Sequence, residues 1–473
     1  MAFKKKLYRY RPNREGLEIE TQRTKKTLRR EPADARSLER GVRQLLADKV
    51  SGSMVGLWLL APEHLRLGTF DLLCGWTGQP AAEVEPRLAL QLVHEAALCV
   101  RGVRATRCLT QRGFELANGL PFAAGDQAIH DLLAAHTVAE AERLQVALGR
   151  LRRASGHFPG HLLAIDPHRT RSWSKRAMRL HRHKEGTAAV KMAQTFFALD
   201  TETSQPLCFT SGTAARTVAR ATPGLLRLAA DILRPDPGQT LVLADGEHFS
   251  AELVEATHRD TPFDLLVPAP RQRPLEARMR AVPDEAFTRH WAGYATARIP
   301  YEFKRGLGEP FHLFIQRCGE TPDDYQFRGF LSTTERDPAE ALSRDFPQRW
   351  HVEEFFNLDQ AIGWARAGTQ NLEIRYGQMT LALIAQAAIH QLRRRLGPAA
   401  AQWNAAHLAD SVFQGIEGDL RVCDDTLVVT FYNAPQPDLL RPHYEHLPEK
   451  LRAEQVDPHV PWLYGLKLDF RFR

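Results

Sequence analysis

The chain lacks any Cys-x-x-Cys pairing: its six cysteines, Cys74, Cys99, Cys108, Cys208, Cys318 and Cys423, are scattered along its length. That spacing argues against a zinc site or a disulfide framework and fits a reducing compartment. It also lacks apolar runs near the ~20 residues a helix needs to cross a bilayer. The longest, 54–61 and 380–389, are short and are bounded by Pro62 or interrupted by Gln386. No apolar segment follows the basic N-terminus, so no secretory leader is read there, no membrane is expected as a partner, and the cytoplasm is the expected location. GxxxxGK[ST], HExxH and GxSxG are missing as well, which leaves a P-loop NTPase, a zincin and an α/β-hydrolase without support. Neither an internal repeat nor a low-complexity segment is found.

What is present is a long chain with localised charge. At 473 residues it exceeds one ordinary domain, and about two to four are expected. The net charge of +7 is unevenly placed: residues 1–30 hold eleven Lys or Arg against three Glu, a surplus of eight, so the remainder sums to −1. A basic arm of this kind is attracted to phosphate by counterion release, whatever the base sequence. Within 1–36, Lys4, Lys5, Lys6, Arg9, Arg11 and Arg14 are interleaved with Tyr8 and Tyr10, which suits contact with nucleic-acid backbone and bases. A solvated basic tail has a similar composition. From Ser37 the pattern turns helical, with Leu38, Val42, Leu45 and Leu46 at core-facing spacing; further helices are predicted over 91–101 and 128–154. Residues 37–157 read as a helical domain.

At His161 the texture changes. Leu162-Leu163-Ala164-Ile165-Asp166 is a short apolar run ending in an acid, as in a buried strand with a carboxylate at its C-terminal edge. A basic loop follows, with Arg169, Arg171, Lys175, Arg176, Arg179, Arg182 and Lys184 around Trp173. Its histidines, His168, His181 and His183, have no interleaved carboxylate or cysteine, so a phosphate-facing loop is favoured over a metal site. Strands are predicted over 191–199 and 206–210, a helix over 222–233, and a strand over 240–246 that closes on Asp245. A helix over 249–259 and a strand over 263–267 come next. This order predicts an α/β fold, a mixed sheet flanked by helices, with ligands beyond the carboxyl ends of the strands where Asp166 and Asp245 stand. Residues 268–345, with strand-like content at 295–303, 311–317 and 325–332, read as a β-rich insertion. The stretch 346–357 then reads as the start of a half-buried helix in which Arg349, Glu353 and Gln360 share one polar face. A strong helix over 376–396, a strand over 427–431 and a period-2 strand over 466–472 complete the pattern.

Three carboxylates from separate segments can hold two Mg²⁺ or Mn²⁺ ions about 4 Å apart for in-line phosphodiester displacement. Glu353 and Glu354 compete for the third position, since adjacent helical residues point ~100° apart; the i,i+4 relation to Arg349 favours Glu353. Glu247 competes with Asp245, which is preferred because it closes the apolar run. His168 and His248, near the acids, read as structural or phosphate-binding.

Together LLAIDPHR, LVLADGEHF and FPQRWHVEEFFNLDQ resemble the catalytic core of bacterial insertion-sequence DDE transposases over about 160–365. That group carries a signature helix of the Tyr-Arg-Glu-Lys type, whose positions here hold Phe346, Arg349, Glu353 and Gln360. The Tyr-to-Phe and Lys-to-Gln departures remove a hydroxyl and a cation that in the family help position DNA phosphate, so only Arg349 is carried over for that role. The resemblance implies an RNase H-like catalytic domain at 158–267 and 346–400, interrupted by the β-rich insertion at 268–345. Before it stand the basic arm at 1–36 and a helical, DNA-end-binding domain at 37–157; a C-terminal region at 401–473 follows. It further implies Asp166, Asp245 and Glu353 as catalytic metal ligands and Arg349 as a DNA-binding residue; the basic loop and arm add Arg169, Arg171, Lys175, Arg176, Lys4, Lys5 and Lys6 as DNA-binding residues. The expected partners are double-stranded DNA, as terminal inverted repeats and target, and a second copy of the chain in a synaptic homodimer. A catalytically silent DNA-binding descendant and an RNase H-like nuclease without strand transfer are the alternatives.

Overall fold

The computed structural model describes residues 35–100, 111–172, 180–182, 188–213, 216–306, 308, 310–364 and 371–473. Among these residues the strands are, in chain order, β1 (Val50–Gly52), β2 (Leu162–Arg171), β3 (Leu180–His181), β4 (Val190–Asp200) and β5 (Gln205–Thr213). There follow β6 (Leu241–Leu243), β7 (Asp264–Pro268), β8 (Thr288–Trp291), β9 (Tyr294–Tyr301), β10 (Phe311–Cys318) and β11 (Gln326–Ser332). The last four are β12 (Gly418–Cys423), β13 (Thr426–Phe431), β14 (His459–Val460) and β15 (Leu466–Phe472).

One mixed sheet of ten strands organises the middle of the chain. β4 lies antiparallel to both β2 and β5, whereas β6 and β7 continue from β2 in parallel. The stretch read as an inserted module adds β11, β10, β9 and β8 to the same sheet, because β11 pairs antiparallel with β7 (Leu331↔Val267). The sequence shows β9, β10 and β11 but neither β8 nor the partner of β11, since an exposed sheet edge accepts any backbone of suitable register.

Both faces of the β2 region are covered, and alternation along β2 sorts its side chains between them. Leu163 and Ile165, with Phe196 and Ala198, pack under the helices Val218–Leu233 and Ala251–Asp260. Ala164, with Phe197 and Leu199, packs under Val352, Phe355, Trp364 and the helix Leu372–Leu396. That last helix is buried on nearly every side from Met379 through Ile389 and is correspondingly central. Each such Leu or Ile side chain removed from water contributes about 1.5–3 kcal/mol.

The flanking regions share this core. Helices Val84–Ala97 and Val138–Ala154 lie against Leu372–Leu396, and β1 pairs with β12 in a second, five-stranded sheet. Trp462 Nε1 donates to the Ala117 carbonyl at 3.0 Å. Gly119 has φ +66, and a Cβ there would collide with the Trp462 carbonyl, so chain beginning and chain end meet at a point only glycine permits. The helix expected over 128–154 is two, Asp126–Ala134 and Val138–Ala154. Thr137 and Glu140 form a capping box that starts the second, a T-x-x-E signal present in the sequence. No helix among the described residues is long and apolar enough to cross a membrane.

Candidate active site

β2 and β6 pair in parallel only as far as Ala164↔Leu243, while β2 continues along β4 to Arg171↔Met192. Asp166 therefore does not end its strand, as the sequence suggested; it stands where β2 and β6 part. Asp245 lies two residues past β6 and caps the 3-10 turn Gly246–His248, accepting from the Glu247 amide at 3.1 Å. Its side of the strand is that of Leu241 and Leu243, which cluster with Leu162 on the Asp166 face of β2. The two aspartates thus flank one crevice beyond the carboxyl ends of adjacent parallel strands.

Their environments differ. His248, almost fully buried, donates through Nδ1 to Asp245 Oδ1 at 2.6 Å. Burial alone would raise the Asp245 carboxyl, but this bond and the charges of His248 and Arg349 outweigh it and hold it below the usual range. For Asp166, burial and then the neighbouring Asp245 charge push the carboxyl up to about 6, against the pull of Arg349, His248 and Arg169. Arg349 Nη1 stands 3.7 Å from Asp166 Oδ1, a loose ion pair. Glu247, the competing second acid, is exposed and receives Arg169 Nη1 at 3.0 Å, while Arg169 Nε donates to Gln194 Oε1 at 3.0 Å.

The third acid comes from a helical run that begins at Pro338, passes through a π turn at Ala341–Asp345 and a 3-10 turn at Phe346–Trp350, and becomes regular at His351–Asp359. Ala341, Leu342 and Phe346 seat its start on Leu243, Leu266 and Phe330. Phe346 meets Phe330 edge-on at 4.9 Å, an apolar contact that a phenyl ring satisfies without a hydroxyl. Farther along, Phe356 stacks on His168 at 4.1 Å. Arg349 and Phe356 therefore face Asp166 and His168, which lie on one side of β2. Glu353 falls between them on that helix face, i+4 from Arg349 and i−3 from Phe356. It is exposed and, among the described residues, makes no hydrogen bond or ion pair. Arg349 pairs with Asp166 in place of the i,i+4 contact with Glu353. Glu354 points elsewhere and receives His351 Nδ1 at 2.8 Å.

The structure thus brings together Asp166, Asp245 and Arg349, with Arg169 one bond away through Glu247. No group of three or more His, Cys, Asp or Glu side chains among the described residues is placed to hold a metal ion. The aspartate pair does present only carboxylate oxygens, half-buried and of like charge, the donors hard cations such as Mg²⁺ or Mn²⁺ take. Arg171 is exposed at the end of β2. Lys4, Lys5, Lys6, Lys175 and Arg176 lie outside the described residues. His248, expected to be structural or phosphate-binding, bonds the Asp245 carboxylate side chain to side chain, at D-x-x-H spacing.

No protein-family model and no curated protein matches the chain. Among the solved structures that match is a cryo-EM structure of a piggyBac transposase synaptic complex with hairpin DNA. It has a TM-score of 0.40 and 10% identity, covering 78% of this chain and 82% of that chain.

Proposed function

We propose that this chain is a DNA transposase that cleaves element ends and joins their 3′-hydroxyls to target DNA by a two-metal DDE mechanism. The observation that carries the reading is the apposition of Asp166 and Asp245 where two parallel strands part, with Arg349 of the following helical run against Asp166. The strand order β5-β4-β2-β6-β7, antiparallel on one side of β2 and parallel on the other, supports an RNase H-like catalytic sheet. Two Mg²⁺ or Mn²⁺ ions, when bound, would supply activation of the attacking water or 3′-hydroxyl and stabilisation of the leaving oxygen. Asp166 and Asp245 would hold them, with Glu353 the third ligand that the transposase resemblance implies. Arg349, only loosely engaged with Asp166, is free to meet a phosphate oxygen through its planar fork. Double-stranded DNA is the substrate, and synapsis of two ends calls for a homodimer.

The test is Mg²⁺-dependent cleavage and strand transfer on DNA carrying the flanking terminal inverted repeats, with Asp166→Asn and Glu353→Gln beside the wild type. Products from the wild type alone support the reading. Cleavage without joining replaces it with an RNase H-like nuclease. A second reading, a silent DNA-binding descendant, draws on Glu353 standing without a partner and on Phe346 and exposed Gln360 at two signature positions. Tight end-binding with no products from any variant would establish it.

A further inference from the structure

The helix that carries Glu353 ends in a residue that local physics disfavours. Asp359 is its last residue, so its carboxylate meets the negative end of the helix dipole, and it is buried, at 2% exposure. It is held from several sides. Arg393 Nη2 and Nη1 donate to its two oxygens at 2.9 and 3.1 Å, and Arg393 Nε donates to the Trp403 carbonyl at 2.8 Å, so each guanidinium nitrogen makes a bond. Gln386 Nε2 reaches Asp359 Oδ2 at 3.2 Å and Gln205 Oε1 at 2.8 Å. Gln205 Oε1 also receives Arg152 Nη2 at 2.9 Å, and Arg152 Nη1 donates to the Pro206 carbonyl at 2.6 Å. The network joins the acid-bearing helix, the helix Leu372–Leu396, the first residue of β5 and the end of the helix Val138–Ala154.

A buried ion pair rarely adds stability beyond what apolar residues of the same volume would give. What it adds is direction, because a bidentate fork fixes the plane and position of the carboxylate. The other contacts of this helix are Val352 and Phe355 against the sheet and Phe356 on His168, which tolerate sliding and rotation, and a long 3.4 Å contact between His351 Nδ1 and Ser204 Oγ. Arg349, at the other end, makes only its long contact with Asp166.

We infer that Asp359, clamped by Arg393 and braced by Gln386, is the positioning residue that sets the rotation and advance of this helix, and so where Glu353 and Arg349 stand relative to Asp166 and Asp245. The inference rests on the function proposed above, and its test separates the two. Full-length wild type, Asp359→Asn and Arg393→Lys are compared by circular dichroism, end-DNA affinity, single-turnover cleavage at saturating DNA over a Mg²⁺ series, and amide exchange of 351–359. Arg393→Lys keeps the charge and loses the fork, so it remains informative if Asp359→Asn fails to fold. The expected result is a folded variant whose DNA affinity stays within about twofold while cleavage falls about tenfold or more, since misplacement of a catalytic group by ~1 Å has that scale of effect. The half-saturating Mg²⁺ concentration rises in parallel, and exchange quickens over 351–359 alone. Folded variants with wild-type cleavage, metal response and exchange would overturn the inference. A wild type that yields no products would sink the transposase reading instead; the exchange pattern then decides the inference by itself, local loss of protection supporting it and unchanged protection rejecting it.

Discussion

The same helix meets two kinds of acid, and the contrast between them is instructive. At Asp359 both carboxylate oxygens have fixed partners, with Arg393 on each and Gln386 on one. Asp166 has a like-charged neighbour and a cation no nearer than 3.7 Å, and its carboxyl is pushed up to about 6 by burial and by Asp245. The first arrangement is complete without any ligand. In the second, neighbouring carboxylates repel one another in a half-buried crevice, as in a site that awaits positive charge.

The largest effect that would break this contrast is on catalysis. Asp166→Asn is expected to lower Mg²⁺-dependent cleavage by about a thousandfold or more, with end-DNA affinity within about twofold; gel assays and fluorescence anisotropy measure the two. Equal loss of both would remove Asp166 from the chemistry.

Next in size is a stability effect at the other acid. Arg393→Met leaves Asp359 buried without its cation and should cost about 3–5 kcal/mol in denaturant unfolding, with much of the loss recovered in Arg393→Met/Asp359→Leu. A cost near zero for the single variant would show that the clamp is not needed to bury Asp359.

Asp166→Asn should, by contrast, stabilise the fold at neutral pH by about 1 kcal/mol. The sign follows from its raised carboxyl: the folded state holds that proton more tightly than the unfolded chain does. Its contribution is full below the ordinary carboxylate range near 4 and is lost as pH rises through about 6. The gain in the Asn variant should therefore be present at pH 7 and vanish near pH 4 in paired melts. The same titration predicts that Mg²⁺ binding weakens as pH falls through about 6, because protons compete for Asp166.

The smallest effect concerns the signature helix. Phe346→Tyr adds a hydroxyl at this position and, under the proposed function, should tighten end-DNA binding by no more than a few-fold, the scale of one hydrogen bond. No change would mean that this position acts through its contact with Phe330 alone.

Much of the candidate site could be read from local pattern. Asp166 and Asp245 stand out because each follows a run of apolar residues, and Arg349 and Glu353 because a helix puts i and i+4 on one face. The Asp359–Arg393 clamp could not be read this way. In sequence Asp359 is one acid among several in its stretch, and Arg393 is one of three consecutive arginines. Only the crossing of those helices brings the two together. The parting of β2 from β6 at Ala164↔Leu243, which sets the place of Asp166, was equally invisible, because β2 runs on with a different partner.

By itself, then, the sequence determined where the longer helices and many of the strands form and which acids follow apolar runs, since periodicity and caps act over a few residues. The tertiary structure alone decided that 288–332 extends the sheet, that residues near both chain ends share one core around Leu372–Leu396, and that Glu354 turns to His351 while Glu353 does not. Those choices depend on which surfaces meet across long stretches of chain, and hydrophobic burial, being non-directional, leaves no mark of its partner in either segment.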